Sequence, residues 1–147
     1  MELPKNNIWG PHLWMILHSA SEQIGSKKYL PSEETRIWTG LLSSLRYSIP
    51  CPQCKKHYSE YYTSNPITDI RIWLYNLHSD INNRINKENI SIDQLSELYN
   101  KLFDFSYHAS FIITQMKYAV RIGWSTHNDI NRTLRFLHEI KCFYDFF

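Results

Sequence analysis

Apolar residues recur at intervals of three and four along most of the chain, which is the spacing of one buried face of an α-helix. No alternating apolar and polar run is joined to another by a hairpin turn such as Asn-Gly. The pattern therefore predicts an all-α protein.

The first part of the chain is predicted to form four helices. Trp14, Leu17, His18 and Ser21 fall on one face of the first helix. Ser32, followed by acidic residues, is typical of an N-cap and opens the second helix, which Pro50 ends. The predicted bounds are about 11–24, 32–49, 51–63 and 69–86.

The rest of the chain continues the helical pattern, with an amphipathic segment at 91–102, a buried one at 107–122 and an aromatic-rich one at 129–147. This tail is too apolar to remain in water, at roughly 25 cal/mol per Å² of exposed apolar surface. We expect it to pack on the bundle, across a dimer or in a partner protein. Because no linker interrupts the pattern, residues 1–147 are predicted to form a single domain, with a core at about 9–103 and an extension at about 104–147.

Composition narrows the classes of function. The 147 residues include 16 basic and 14 acidic ones, spread without a basic stripe, so no nucleic-acid partner is predicted. No run approaches the length of a membrane span, and the first residues do not resemble a signal peptide. A soluble, cytoplasmic chain is the expectation.

The spacing of Cys51 and Cys54 indicates redox or metal chemistry, because three cysteines in a chain of this length do not form a disulfide scaffold. Cys51 occupies a predicted N-cap position and Pro52 the first helical position. Backbone N–H groups at a helix N-terminus stabilise a thiolate, and Lys55 and Lys56 add positive charge nearby.

A zinc site is the competing interpretation, since Cys51, Cys54 and His57 have the spacing of metal ligands. Structural zinc takes four ligands, however, and no second pair follows. A thioredoxin-type site would need strands around the motif, which the helical pattern does not provide.

Four segments, taken in order, resemble the Erv/ALR-type sulfhydryl oxidases. These segments are WGPHLWMILH at 9–18, PCPQCKKHY at 50–58, NPI at 65–67 and WLYNLHSDINNRINK at 73–87. The combined order is far more specific than a single Cys-x-x-Cys. The resemblance implies a four-helix flavin-binding bundle, here with additional C-terminal helices, in which the isoalloxazine ring of FAD lies against the cysteine pair.

The resemblance also assigns roles to individual residues. Cys51 and Cys54 become the catalytic pair, and the first and fourth helices hold the adenine and ribose of FAD. Two of the assigned residues, His78 and Asn82, lie one helical turn apart and so share a face. The expected FAD contacts are Gly10, Trp14, His18, Tyr47, His57, Trp73, His78, Asn82 and Lys87.

The chain departs from the family pattern at several positions. It has Pro11 where cellular members often carry Arg, and Ser79 where they carry Asn, and it lacks their second, clamping cysteine pair. Residues 124–131 echo the His-Asn motif, but their distance from Cys54 predicts no flavin role for them.

In the reaction that the resemblance implies, a substrate thiol attacks Cys51, and the released Cys54 faces the flavin, which passes electrons to O2 to give H2O2. A homodimer through the first two helices is expected, as are thiol-containing protein substrates. Because Cys142 alone cannot form a shuttle pair, the resemblance favours a redox partner with its own Cys-x-x-Cys and a plain buried Cys142.

Two other classes of function stay open from the sequence: a zinc-binding interaction module, and a structural protein on a former oxidase fold. The richness in Asn, Ile, Lys and Tyr is typical of an AT-rich genome. Together with the missing clamp cysteines, it favours a large DNA virus whose protein works in the host cytoplasm or the virion.

Overall fold

The computed structural model describes residues 2–147. This part of the chain forms seven α-helices and contains no β-strand. The helices are α1 (Asn6–Ser21), α2 (Pro31–Ser48), α3 (Pro52–Ser64), α4 (Ile70–Arg84), α5 (Gln94–Tyr99), α6 (Phe105–Arg121) and α7 (His127–Phe143). The predicted all-α class is confirmed.

Short polar side chains fix the N-termini of the later helices. The carboxylates of Asp69 and Asp104 each accept a backbone N–H three residues on, at 3.0 Å. Thr126 caps α7 in the same way at 3.2 Å. These side chains satisfy N–H groups that have no partner inside the helix, which explains why these helices begin where they do.

Two predicted helix starts are wrong. α1 begins at Asn6, so Pro11 lies inside the helix rather than at its start. Proline lacks the N–H group that donates a hydrogen bond at an interior helix position. Its fixed φ angle is helical, however, so the hydrogen bonds of the neighbouring turns keep α1 continuous through Pro11. α2 begins at Pro31 after Leu30, which provides no side-chain cap, and Ser32 is therefore not the N-cap.

The two long N-terminal helices form the centre of the protein. α1 packs against α4 and α5 on one side and against α6 on the other, while α2 lies between α3 and α7. The side chains that these contacts bury form one apolar core, to which α1 contributes Leu13, Ile16 and Leu17, α2 contributes Trp38, Leu41 and Leu45, and α7 contributes Ile130, Leu137 and Ile140.

The close contact between α2 and α7 depends on small and hydroxylated residues. A Cβ atom on Gly40 would overlap the ring of Phe136, so only glycine allows this approach. Further along, the buried Oγ1 of Thr133 lies 2.8 Å from Ser44 Oγ and 2.6 Å from Ser48 Oγ. Hydroxyl groups that are buried in this way are stable because they bond to one another.

The far end of the α2–α7 contact is closed by a second polar chain. Trp38 Nε1 donates to the Tyr144 hydroxyl at 2.8 Å, and that hydroxyl donates to Glu34 Oε2 at 2.6 Å. Glu34 also accepts the backbone N–H of Gly25 through Oε1, at 3.2 Å. This chain ties α7 to α2 and to the turn that follows α1.

The apolar tail is therefore buried against the bundle of its own chain, which decides among the three locations left open by the sequence. α6 packs on α1 and α7 packs on α2, so the parts of the first two helices that they cover are not free for a dimer. Among residues 2–147, no helix combines the length and the apolar character needed to cross a membrane.

Candidate functional site

The redox site is a disulfide between Cys51 and Cys54 at the start of α3, with the two Cα atoms 5.2 Å apart. Cys51 is the N-cap residue, in extended backbone conformation, and Pro52 takes the first position of the helix, as predicted. The backbone N–H of Cys54 donates to Cys51 Sγ at 3.2 Å. A sulfur in this position is stabilised as a thiolate by the helix N-terminus.

The polar contacts around the disulfide differ from those that the sequence predicts. Lys55 Nζ binds the carbonyl oxygen of Trp124 at 2.5 Å and Ser125 Oγ at 3.1 Å, so its charge is directed to the turn between α6 and α7. Burial lowers the pKa of Lys55. Asn6, which the sequence analysis did not single out, places Nδ2 at 3.4 Å from Cys54 Sγ.

A second cluster joins α1 to α4 through stacked rings. The Trp14 indole stacks on the His78 imidazole, with centroids 4.1 Å apart and planes 4° from parallel. The His18 ring contacts both of these rings, with its centroid 5.1 Å from that of Trp14 and its Nε2 2.9 Å from His78 Nδ1. Tyr99 of α5 packs against the His18 ring at 4.7 Å. The structure thus brings together three of the residues predicted to contact FAD.

Both histidines of this cluster are neutral near pH 7. Burial, followed by the nearby His78 and Arg71, lowers the pKa of His18 to about 3. Burial and the charge of Lys87 lower the pKa of His78 to about 4. Two neutral rings can share one proton, because one nitrogen donates while the other accepts.

One buried nitrogen of the cluster has no hydrogen-bond partner within residues 2–147, and one position of α1 faces open space. His18 Nδ1 is buried and has no hydrogen-bond partner among the described residues. Gly10, one turn before Trp14, has no atom within 4 Å of the point where a Cβ would lie. A buried polar atom without a partner is costly, and open space at Gly10, about two turns before His18 on the same helix, leaves room for a ligand along α1. These features fit a flat ring system with polar edges.

The end of α4 places the remaining motif residues at a turn. Asn82 accepts the backbone N–H of Lys87 at 2.8 Å through its own carbonyl, and Asn86 between them has a positive φ of 57°. Lys87 is near enough to His78 to affect its pKa. Asn82 and Lys87 therefore lie at the α4 end of the cluster.

Three other predicted contacts have partners elsewhere. His57 Nε2 lies 2.7 Å from Asp80 Oδ2, which links α3 to α4. Trp73 is buried among tyrosines and donates to the carbonyl of Asn65 at 2.7 Å. Tyr47 is 45% exposed and lies under the Arg46 guanidinium. A flavin role for these three residues stays a prediction.

The prediction of a buried Cys142 is wrong, because its thiol is free and exposed, with Sγ 3.5 Å from His138 Nε2 on the same helix. α7 buries the face that carries Ile130, Leu137 and Ile140, and position 142 falls outside that face. In residues 2–147, no group of three or more histidine, cysteine or acidic side chains is arranged to hold a metal ion.

Fold and site together define a helical thiol–disulfide redox protein with a cluster of stacked aromatic rings between α1 and α4. The family model described as Erv1/Alr matches residues 11–108. The chain belongs to the Erv1/Alr family, which confirms the resemblance that the sequence motifs indicate.

The curated relatives are viral. Two proteins called FAD-linked sulfhydryl oxidase come from African swine fever virus. The one from isolate Warthog/Namibia is 34% identical over 103 residues, covering 63% of this chain and 81% of the relative. The one from isolate Tick/Malawi is 27% identical over 104 residues, with the same coverage. A Frog virus 3 protein is 26% identical over 98 residues, covering 62% of this chain and 65% of its own. No solved structure matches the chain significantly.

Proposed function

We propose that this chain is an FAD-linked sulfhydryl oxidase, which takes electrons from thiols through Cys51 and Cys54 and delivers them to O2 as H2O2. The observation that carries this proposal is the disulfide at the N-terminus of α3, in a chain of the Erv1/Alr family. The name of the African swine fever virus relatives supports the same activity.

The residues of the cluster fit the cofactor. Trp14 and His78 provide flat surfaces for an aromatic ring, and His18 Nδ1 provides a hydrogen bond that the protein itself leaves unused. The open face at Gly10 leaves room on α1. We propose these four residues, with Asn82 and Lys87, as the FAD contacts. When bound, FAD supplies a two-electron acceptor that is reoxidised by O2.

The two sulfurs have different tasks in the proposed reaction. A substrate thiolate attacks Cys51 Sγ, the Cys51–Cys54 bond breaks, and its electron pair leaves on Cys54 Sγ. A second substrate thiolate then attacks the mixed disulfide, which releases the substrate as a disulfide and leaves Cys51 as a thiolate. The N–H of Cys54, 3.2 Å from Cys51 Sγ, stabilises that leaving thiolate.

The partners follow from this chemistry. Thiol-bearing proteins are the proposed substrates, and a redox partner with its own Cys-x-x-Cys is included because Cys142 is the sole cysteine outside the pair. We propose residues 1–147 as one oxidase domain, since the apolar core joins α6 and α7 to the bundle. We further propose that the protein acts in the cytoplasm of an infected cell, which the viral relatives support.

The predicted homodimer is kept as a proposal with one geometrical condition. Its interface has to lie outside the parts of α1 and α2 that α6 and α7 cover. Sedimentation velocity of the purified chain tests this: a dimer of about twice the 17.7 kDa chain mass is expected, and a monomer at all concentrations contradicts it.

The central experiment is a spectrum of the purified full-length chain, followed by oxygen consumption with dithiothreitol. A flavin spectrum and release of FAD on denaturation are expected. Cys51→Ser and Cys54→Ser should each retain FAD and lower oxygen consumption by more than about 100-fold, because no disulfide can form. Cys142→Ser is the matched control and should leave the rate unchanged. A colourless protein that stays without FAD after incubation and holds one zinc ion per chain would contradict the proposed function.

A further inference from the structure

The first residue of α1, Asn6, contacts both sulfurs of the redox pair. Its Nδ2 lies 3.4 Å from Cys54 Sγ and 3.8 Å from Cys51 Sγ. Asn6 precedes residues 11–108, the part of the chain that the family model matches. It is also separated from the pair by more than 40 positions in the sequence, so only the fold brings it to the disulfide.

The orientation of the Asn6 amide is fixed by Trp9, one turn later on α1. Trp9 Nε1 donates to Asn6 Oδ1 at 3.0 Å, and the indole is buried. An indole N–H is a donor only, so the amide oxygen has to face it. The NH2 group then faces the sulfurs, and the assignment of oxygen and nitrogen in this amide follows from the network.

The segment before α1 is held in place from the other side. The backbone N–H of Lys5 donates to Oε1 of the buried Gln115, on α6, at 2.5 Å. Asn6 is therefore anchored by the neighbouring backbone as well as by Trp9. This anchoring matters because a donor that is already aligned loses little freedom when its bond to sulfur strengthens.

The donors are divided between the two sulfurs. Cys51 Sγ is 3.2 Å from the backbone N–H of Cys54, whereas the nearest donor to Cys54 Sγ within residues 2–147 is the Asn6 amide. Lys55, the adjacent cation, binds the turn at Trp124. When the disulfide opens and Cys54 leaves as a thiolate, Asn6 is thus the side chain positioned to bind the new charge.

We propose that Asn6 is a catalytic residue of the oxidase, which donates a hydrogen bond to Cys54 Sγ as the disulfide opens. This inference rests on the proposed function. In the step concerned, a substrate thiolate forms a bond to Cys51 Sγ, the Cys51–Cys54 bond breaks, and Cys54 Sγ takes the electron pair. No proton moves, because the Asn6 amide keeps its hydrogen while the bond to sulfur shortens. A bond to a charged acceptor is stronger than the same bond to a neutral one, so the opened state gains more than the disulfide.

The test measures the acidity of Cys54 directly. In the full-length chain carrying Cys51→Ser and Cys142→Ser, Cys54 is the remaining thiol, and iodoacetamide alkylates only its thiolate. The rate is followed by intact mass across a range of pH. Asn6→Ala should raise the measured pKa of Cys54 by about one unit, which is a tenfold smaller thiolate fraction below that pKa. Trp9→Phe, which leaves Asn6 in place but releases its amide, should shift the pKa in the same direction by a smaller amount.

The matched control is Asn7→Ala, which removes the same side chain from the next, exposed position of α1. It should leave the Cys54 pKa unchanged. With all cysteines present, Asn6→Ala should also lower dithiothreitol oxidation at pH 7 by about three- to tenfold while the FAD content stays the same.

A Cys54 pKa that Asn6→Ala leaves unchanged, or that Asn7→Ala raises equally, would overturn this role of Asn6. Since alkylation needs neither FAD nor turnover, the result is independent of the proposed oxidase activity. A chain without flavin in which Asn6→Ala still raises the Cys54 pKa would refute the oxidase and retain the hydrogen bond.

Discussion

The hydroxyl groups at the contact of α2 with α7 and the histidine at the contact of α1 with α4 are buried in opposite ways. Between α2 and α7, the hydroxyl groups of Ser44, Ser48 and Thr133 lie within bonding distance of one another. Between α1 and α4, His18 Nδ1 is buried without a partner among the described residues. A buried polar group without a partner costs about 1–3 kcal/mol, a cost that the bonded hydroxyl groups avoid and that His18 Nδ1 carries. The α2–α7 side carries the same cost at one atom, Oε2 of Glu139 on α7.

The two contacts also use glycine differently. A larger residue in place of Gly40 on α2 would overlap the ring of Phe136, whereas Gly10 on α1 faces open space. The same residue type therefore allows close packing in one place and leaves open space in the other. We therefore expect the α2–α7 side to contribute mainly stability, while the FAD contacts proposed above lie on the α1–α4 side.

The largest effect is expected from removing α6 and α7 by truncation after Asp104. The loss would uncover apolar side chains of α1 and α2, including Leu13, Trp38 and Leu41, which are almost fully buried. Each such side chain contributes about 1.5–3 kcal/mol when buried, so these three together contribute about as much as the net stability of an ordinary domain. The truncated chain should show no cooperative thermal transition by circular dichroism.

Deletion of Phe147 alone is the control for this truncation, because its side chain is 88% exposed. It should melt like the full chain. A truncated chain that melts cooperatively and binds FAD would show that the α1–α4 side folds without α6 and α7, and would break the proposed division.

An intermediate effect is expected from the two glycines. Gly40→Ala should lower the free energy of unfolding by about 1–3 kcal/mol, because overpacking against Phe136 exceeds the helix propensity gained. Gly10→Ala should leave the stability of the FAD-free chain unchanged or raise it by up to about 1 kcal/mol, since no atom is near its new methyl group.

The readouts for this pair are urea unfolding of the FAD-free chain and FAD affinity by fluorescence titration. Gly10→Ala should weaken FAD binding, and Gly40→Ala should leave binding by the folded fraction unchanged. Equal losses of affinity in both variants would contradict the assignment of separate tasks to the two sides.

The smallest effect concerns pH. His18 and His78 have folded-state pKa values of about 3 and about 4, below the ordinary value of 6.5. As the pH falls, these histidines therefore bind protons in the unfolded chain before they do so in the folded chain. The free energy of unfolding consequently decreases from about pH 6.5 downward. Each histidine contributes at most about 1.4 kcal/mol per pH unit in this range.

The measurement is urea unfolding of the FAD-free chain at pH 7, 6 and 5, above the range in which most carboxylates titrate. His18→Gln should flatten the pH dependence, since the amide carries no titrating proton. His127→Gln, at an exposed position of α7, is the control and should keep the wild-type slope. If His18→Gln leaves this slope unchanged, burial of His18 is not a cause of the pH dependence of stability.

Those parts of the structure that depend on local chemistry could be predicted from the sequence. Cys51 as N-cap with Pro52 after it, and Asp69 at the start of α4, follow from rules that involve only a few adjacent residues. The pairing of His18 with His78 was not predicted, although the resemblance assigned both residues to FAD contacts.

Other parts required the fold. An amphipathic helix shows that it needs a partner but not which one, so the packing of α7 on α2 could not be derived from its periodicity. Asn6 was missed because Pro11 resembled a helix start, which placed Asn6 outside the predicted helix. The spacing of Asn6 and Trp9, three residues apart, was the available signal.

The pairing of the first two helices with the last two has a consequence for the order of folding. The contacts that close the core, such as Lys5 with Gln115 and Trp38 with Tyr144, join positions more than 100 residues apart. Loop closure over these separations costs entropy before the contacts form, which slows the last step of folding. On the ribosome, the apolar faces of α1 and α2 emerge long before α7 is synthesised, so the chain completes its core only after α7 has emerged. During that interval these faces are exposed to aggregation and are the natural binding sites for a chaperone.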